Sequence, residues 1–259
     1  MSRSDTRPWI ALPLAALLLA ACNPTQIRDD QELSTGPGKS SGDIYAEMGR
    51  EYMKQGQPKV ALRKLQYGLE IDPDNAQVHA VLGLLYQRLG EFPAADRHYA
   101  AASRFDPQNP YYHNAWVSFL CDRGRYPEAD RQFVLALDNP LYDRPWQAAT
   151  NAGVCALRNG DPEAGEGYLR RALSSNPRVA LALLKMMEIN LERGDHGAAA
   201  AYLQRYEQVA AHSAQTLLQG MRVYLGSGDK ETALRYSNAL RERYPDAPET
   251  RTAQELVGK

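Results

Sequence analysis

Three cysteines and five histidines are the side chains of this 259-residue chain suited to thiol, redox or metal chemistry. Cys22 closes an apolar run, and Cys121 and Cys155 lie far downstream of it. The histidines are His79, His98, His113, His196 and His212. His79 and His113, as a pair, lack the nearby thiolate or carboxylate partners in sequence that a zinc site uses, so no metal is expected. The G-x-S-x-G, H-E-x-x-H, Walker A and G-x-G-x-x-G patterns are absent, so no cofactor or small-molecule substrate is expected either. Serines and aspartates fall at helix starts and in a polar N-terminal stretch rather than in catalytic constellations. The residue types therefore point away from catalysis and toward binding.

The elements that carry these residues repeat. Gly56, Gly90, Gly124, Gly160, Gly194 and Gly228 recur every 34 residues, apart from one interval of 36. Five residues after each stands a small residue: Ala61, Ala95, Ala129, Gly165, Ala199 and Ala233. Each glycine is placed to end a helix where a positive φ is wanted. Gly49 and Gly83 leave room for a second helix to cross closely, and Pro73 and Pro107 stop that second helix. These residues at this period resemble tetratricopeptide repeats (TPRs). The resemblance implies an all-α chain, an α-solenoid superhelix of six TPR helical hairpins. The hairpins are expected at 42–75, 76–109, 110–145, 146–179, 180–213 and 214–247, with a tail at 248–259 that forms a short capping helix at best. Repeat three is longer because Asp138 to Pro145 replaces the tight exit. Repeat six departs most at the small position, where Met221 stands. His79 and His113 share one repeat position, which reads as packing. Such an array presents a long surface rather than one deep cleft, which favours protein binding.

The formal net charge is −1, and basic residues are interspersed with acids. No global basic field calls for nucleic acid. The N-terminus is more informative. Arg3 and Arg7 precede an apolar run from Trp9 to Ala21, too short to span a bilayer as a stable helix. It ends in Leu19-Ala20-Ala21-Cys22, which resembles the lipobox of bacterial lipoproteins. The resemblance implies a signal peptide at 1–21, cleavage before Cys22, and acyl chains on Cys22 that anchor the mature chain stably. Asn23, where Asp would retain the protein in the inner membrane, favours the periplasmic face of the outer membrane. Residues 22–41 are polar, carry Pro24, Pro37, Gly36 and Gly38, and read as a lipidated flexible tether.

In a TPR superhelix the first helix of each hairpin lines the concave side. By that geometry Arg50, Met53, Ala80, Leu84, Gln87 and Asn114 are candidate partner-binding residues, nearest the anchor. Ala46, Tyr111, Ser118, Cys121 and Thr150 share the face, which grows leucine-rich toward Leu181, Leu184, Leu191, Leu218 and Leu225. Those leucines suit an apolar partner segment or packing between repeats. Some TPR proteins grip a peptide C-terminus with a Lys/Asn/Arg clamp. Arg50 stands where that clamp wants Asn, and Tyr111 where it wants Lys, which disfavours that mode. Cys121 and Cys155 fall on first helices of adjacent repeats, in an oxidising compartment if the lipobox is used. A disulfide between them is expected, the alternative being two buried free thiols.

Repeats three to five carry more than generic TPR residues. They include Phe119-Leu120-Cys121-Asp122-Arg123-Gly124-Arg125-Tyr126, Asn139-Pro140-Leu141-Tyr142 and Asn151-Ala152-Gly153-Val154-Cys155. Glu166-Gly167-Tyr168-Leu169-Arg170-Arg171-Ala172-Leu173 follows, and Gly220-Met221-Arg222 lies near the end. With the lipobox and six repeats, the chain resembles the type IV pilus biogenesis/stability lipoproteins, the PilF/PilW pilotin family. That resemblance implies an outer-membrane protein that binds the pilus secretin and promotes its localisation, multimerisation or stability. A lipoprotein adaptor that recruits cell-wall or envelope-assembly enzymes is the alternative.

Overall fold

The computed structural model describes residues 40–140 and 142–257. The expectations for residues 1–39, Cys22 among them, and for Leu141 lie outside the described residues. The described residues form thirteen α-helices. The first helices of the six hairpins are α1 (Ser41–Lys54), α3 (Ala76–Arg88), α5 (Pro110–Asp122), α7 (Pro145–Arg158), α9 (Ala180–Glu192) and α11 (Ala214–Gly226). Their second helices are α2 (Pro58–Ile71), α4 (Phe92–Phe105), α6 (Tyr126–Leu137), α8 (Pro162–Ser175), α10 (His196–Glu207) and α12 (Lys230–Arg243). A last helix, α13 (Pro248–Val257), follows.

The turn inside each hairpin is set by its glycine. All six have φ between 70° and 84°, a region that costs an L side chain steric strain. At Gly56 the amide bonds back to Met53 O at 3.3 Å and the Gln57 amide to Tyr52 O at 2.9 Å. This pair of bonds satisfies two carbonyls that the helix end leaves open. Proline then sits in the first turn of α2, α4, α6 and α8, where a missing N–H costs nothing.

The hairpin crossing is equally local. A Cβ on Gly49 would lie 2.5 Å from Leu65 Cδ2, and one on Gly83 would lie 2.7 Å from the Tyr99 ring. The facing small residues Ala61, Ala95, Ala129 and Ala199 have no exposed surface. Repeat six solves the crossing differently from its sequence pattern. Met221 is fully buried, and Gly220, one residue earlier, receives the Tyr236 ring. Tyr236 stands sixteen residues after Gly220, the register that sets Leu65 on Gly49, so the crossing pair has moved back by one residue on both helices.

Between hairpins the chain turns through paired side-chain caps. Asn75 Oδ1 accepts from the Val78 amide at 2.8 Å, and its Nδ2 donates to Asp72 Oδ2 at 3.0 Å. Asn109 and Asp106 repeat the arrangement. An Asn N-cap of this kind is worth about 1 kcal/mol. His79 and His113 each place Nε2 3.0 Å from the carbonyl of the preceding turn proline, Pro73 or Pro107. Both histidines fasten the start of a first helix to that turn.

The first helix begins at Ser41, inside the stretch read as tether, because Ser40 and Asp43 form a reciprocal capping box. At the other end α13 is a ten-residue helix packed on α11 and α12. It buries Thr250 and Ala253, and Thr250 Oγ1 donates to Tyr244 O at 2.6 Å. A thirteenth helix of this kind covers the apolar face that the last hairpin would leave open. In the long exit of repeat three, Tyr142 folds back into the core with its ring 5.1 Å from that of Tyr111.

Close backbone approaches run between successive first helices from α1 to α11 and not between successive second helices, which meet through side chains such as Tyr168 on α8 with Asp130 on α6 and Tyr236 on α12 with Glu207 on α10. Within the array the first helices therefore crowd on the inner side and the second helices splay outward.

Candidate partner-binding groove

The inner face near α1, α3 and α5 is mostly closed or internally satisfied. Met53 is 8% exposed and Ala46 fully buried, both in the core that α1 shares with α2 and α3. Met53 therefore packs in that core, and the neighbouring hairpin covers most of it. Leu84 and Ala80 are half-buried, and Leu84 packs against the same core. Gln87 Oε1 accepts from Tyr99 OH at 2.7 Å, and Asn114 Oδ1 accepts from Asn151 Nδ2 at 3.0 Å. Both amides are occupied as inter-helix ties. Arg50, Tyr111 and Ser118 are exposed on this face, and the Tyr111 hydroxyl donates to Asp143. Thr150, also read as inward, is buried and bonds Trp146 O at 2.7 Å.

The same face opens between the later repeats. A cleft of about 570 Å³ lies between α7 and α9, with Val154, Leu157, Leu181, Lys185 and Ile189 among its walls. A second, of about 520 Å³, lies between α9 and α11 and is lined by Leu191, Glu192, Gln215, Gln219 and Arg222. Lys185, Glu188 and Glu192 border both, so the clefts flank a single ridge of α9. Leu181, Lys185, Glu188 and Glu192 follow the spacing that puts residues on one helix face. Leu181 is 44% exposed on that ridge. Lys185 Nζ binds Glu188 Oε2 at 2.6 Å, which leaves the ridge centre neutral. Gln219 lines the second cleft, and its Oε1 is buried without a hydrogen-bond partner. An orphaned buried acceptor costs about 1–3 kcal/mol.

The groove walls are held by cross-repeat bonds. Cys121 on α5 and Cys155 on α7 are joined in a disulfide with Cα atoms 5.6 Å apart, and both residues are buried. Arg158 Nη1 on α7 binds Asp122 Oδ1 on α5 at 2.5 Å. Arg170 and Arg193 both bind Glu166, and Arg170 first, then Arg193, hold its carboxyl below the usual carboxylate range. Arg193 caps α9, so this cluster fixes α8 against the groove-lining helix. On the outer side a depression of about 390 Å³ adjoins Cys155. Its polar groups already serve each other and the chain: Tyr168 OH donates to Asp130 and Tyr126 OH to Arg158 O.

Gln215, Glu188 and Arg222 are inward positions by the repeat geometry, and the residues that sequence reasoning missed here are Gln219, Glu192 and Lys185. The signal for Lys185 and Glu192 lay in the period that α9 shares with Leu181, whereas the orphaned Gln219 oxygen has no local sequence mark. What the arrangement offers chemically is an apolar cleft beside a polar one, with no nucleophile–base pair between them.

Two tetratricopeptide-repeat family models match the chain, one over residues 52–115 and one over 120–173 and 152–214. A search of curated proteins finds no match. Among solved structures, Pseudomonas aeruginosa pilF superposes with a TM-score of 0.76 at 28% identity, over 83% of this chain and 97% of that one. PilW, described as a widely conserved type IV pilus biogenesis factor, superposes with a TM-score of 0.76 at 27% identity, over 83% and 99% of the two chains. A tetratricopeptide repeat protein from Parabacteroides merdae has a TM-score of 0.58 at 16% identity, over 84% of each chain, and shares the fold alone. The six glycine-turned hairpins and the two repeat models together make this chain a member of the tetratricopeptide-repeat proteins, similar along most of its length to pilF and PilW.

Proposed function

We propose that this chain is a non-catalytic outer-membrane lipoprotein of type IV pilus biogenesis. It binds the pilus secretin and promotes its localisation, multimerisation or stability, supporting piliation and twitching. The observation that carries the reading is the near end-to-end similarity to pilF and PilW, at 28% and 27% identity. Leu19-Ala20-Ala21-Cys22 followed by Asn23 supports the anchor and its outer-membrane address. Acyl chains on Cys22 would tie the array to the bilayer in which the secretin assembles. The groove, with an apolar and a polar cleft on either side of α9, supports the reading as a candidate protein-binding surface.

Deletion of the gene tests this, read out as heat-resistant secretin multimers and surface pili. Both are expected to fall sharply and to return with the wild-type gene. Unchanged multimers and pili would sink the proposal and leave the envelope-adaptor reading. Cys22→Ser tests the anchor separately: the protein is expected to leave the outer-membrane fraction, and unchanged fractionation would exclude lipid anchoring.

A further inference from the structure

We infer that the partner contacts the α7–α9–α11 end of the array rather than the anchor-proximal end, and does so with an extended segment of about six residues. The inference rests on the protein-binding function proposed above and goes beyond it in naming the surface and the chemistry of the occupant. Three observations converge. The inner face is lined by occupied or buried groups at Met53, Gln87 and Asn114 but carries open clefts on both sides of α9. Leu181 is 44% exposed beside the apolar walls Val154 and Leu157. In the adjoining cleft, Gln219 Oε1 is buried with no partner, and among the described residues Glu192, Gln215 and Arg222 form no bond or ion pair.

Length and chemistry of the occupant follow. Packed helices lie about 8–10 Å apart, so crossing from α7 over α9 to α11 takes about 16–20 Å. An extended chain rises about 3.3 Å per residue, which sets about six residues for the crossing and about three between the two clefts. The first cleft takes an aliphatic side chain against Leu157 and Leu181. The second presents the Gln215 and Gln219 carboxamides, which suit the amides and carbonyls of an extended main chain. Unpaired Arg222 selects a carboxylate at that end of the segment, and unpaired Glu192 accepts a further N–H. Apolar contact at one cleft and main-chain hydrogen bonding at the other is the usual division of labour in recognition of extended segments.

The test uses the soluble mature chain with Cys22→Ser and synthetic twelve-residue peptides tiling the secretin, read by fluorescence anisotropy. At least one tile is expected to bind. Leu181→Glu and Gln219→Ala should each weaken it at least tenfold, Arg222→Glu about fivefold, and Arg50→Glu less than twofold. Leu181 is exposed and the Gln219 oxygen is unpartnered, so both variants should keep the parent's melting transition. A tile that depends on Arg50 and ignores Leu181 overturns the inference. So does binding of intact secretin with no tile bound, which means a folded surface is read while the proposed function stands. If intact secretin also fails to bind, the proposed function fails. A displayed library of random twelve-residue peptides then decides the groove by itself. Enriched peptides that lose binding to Leu181→Glu uphold it, and the absence of any Leu181-dependent peptide overturns it.

Discussion

The Nδ1 atoms of His79 and His98 face each other at 2.9 Å, joining α3 to α4 inside the second hairpin. His79 Nε2 lies 3.0 Å from the Pro73 carbonyl, which accepts, so Nε2 carries the proton and the His79 Nδ1 is the bare acceptor for His98. The pair is neutral and has no room for another proton between its rings. Tyr86 stacks on His98, and Arg97, Arg104 and Asp74 are the charges that bear on the two imidazoles.

Acid should therefore weaken the second hairpin. Burial, then the neighbouring His79 and Arg97, lower His98 to about 4, and burial lowers His79 as well. An unfolded chain takes up these protons near the ordinary pKa of about 6.5, whereas folded His98 resists until about 4. The unfolded state thus binds more protons in that window, and stability falls as pH drops through it. The loss should be on the order of 2 kcal/mol for His98. Urea midpoints at pH 7.5 and pH 5 in the parent and in His98→Gln measure it. The variant should show the shallower pH dependence; equal slopes would remove the histidine pair as the cause.

The bridge between Cys121 and Cys155 closes 34 residues, from the end of α5 to the end of α7. Closing a loop of that size restricts the unfolded chain by roughly 3–4 kcal/mol in the chain-entropy model. Replacing both cysteines by alanine should lower stability by about that much and loosen the α5–α7 contact first. The same bridge predicts no reaction with Ellman's reagent in denatured, unreduced mature chain carrying Cys22→Ser. Two reactive thiols there would mean that Cys121 and Cys155 are merely packed together.

Some of this was legible from residue types alone. The six turn glycines are visible because only glycine takes φ near 75° without strain, so backbone need and residue type coincide. The crossing at Gly49 and Gly83 was legible for a similar reason, a local fit between a missing side chain and one large neighbour. The groove was legible only as a set of inward positions. Whether such a position is open depends on tertiary packing: Met53 is covered by the next hairpin, Gln87 is taken by Tyr99 of its own hairpin, and Asn114 by Asn151 of the next. The shift of the small position from Met221 to Gly220 escaped for the same reason, because the Tyr236 ring on the partner helix decides which position must be small.

Two glycines of the fourth hairpin should respond to alanine with opposite signs. A Cβ on Gly153 would lie 2.6 Å from Leu169 Cγ and 3.1 Å from the Gly165 carbonyl, so Gly153→Ala must push α7 from α8. Overpacking of this kind costs about 1–3 kcal/mol. Gly167 lies mid-helix in α8, exposed, with nothing within 4 Å of an added Cβ. Gly167→Ala should stabilise by about 0.8–1 kcal/mol through helix propensity. Denaturant midpoints of the two variants give the comparison, and a loss of stability in Gly167→Ala would contradict the open environment seen there.

Asp96 joins the second and third hairpins through one carboxylate with two partners. Its Oδ1 accepts from the Trp116 indole at 2.9 Å, and its Oδ2 accepts from Arg125 Nη1 at 2.5 Å. Arg125 also grips Glu128 through Nε and Nη2, and these two carboxylates, Glu128 first, hold its guanidinium further above its ordinary pKa. Loss of Asp96 therefore leaves Arg125 paired but orphans the half-buried indole N–H. Asp96→Ala should cost about 1–2 kcal/mol, mostly through Trp116. Asp96→Asn keeps an acceptor for the indole and loses only the partly screened ion pair, so it should cost less than half as much. Thermal unfolding of the two variants separates the contributions. If Asn were as damaging as Ala, the ion pair with Arg125 rather than the indole bond would be what joins these repeats.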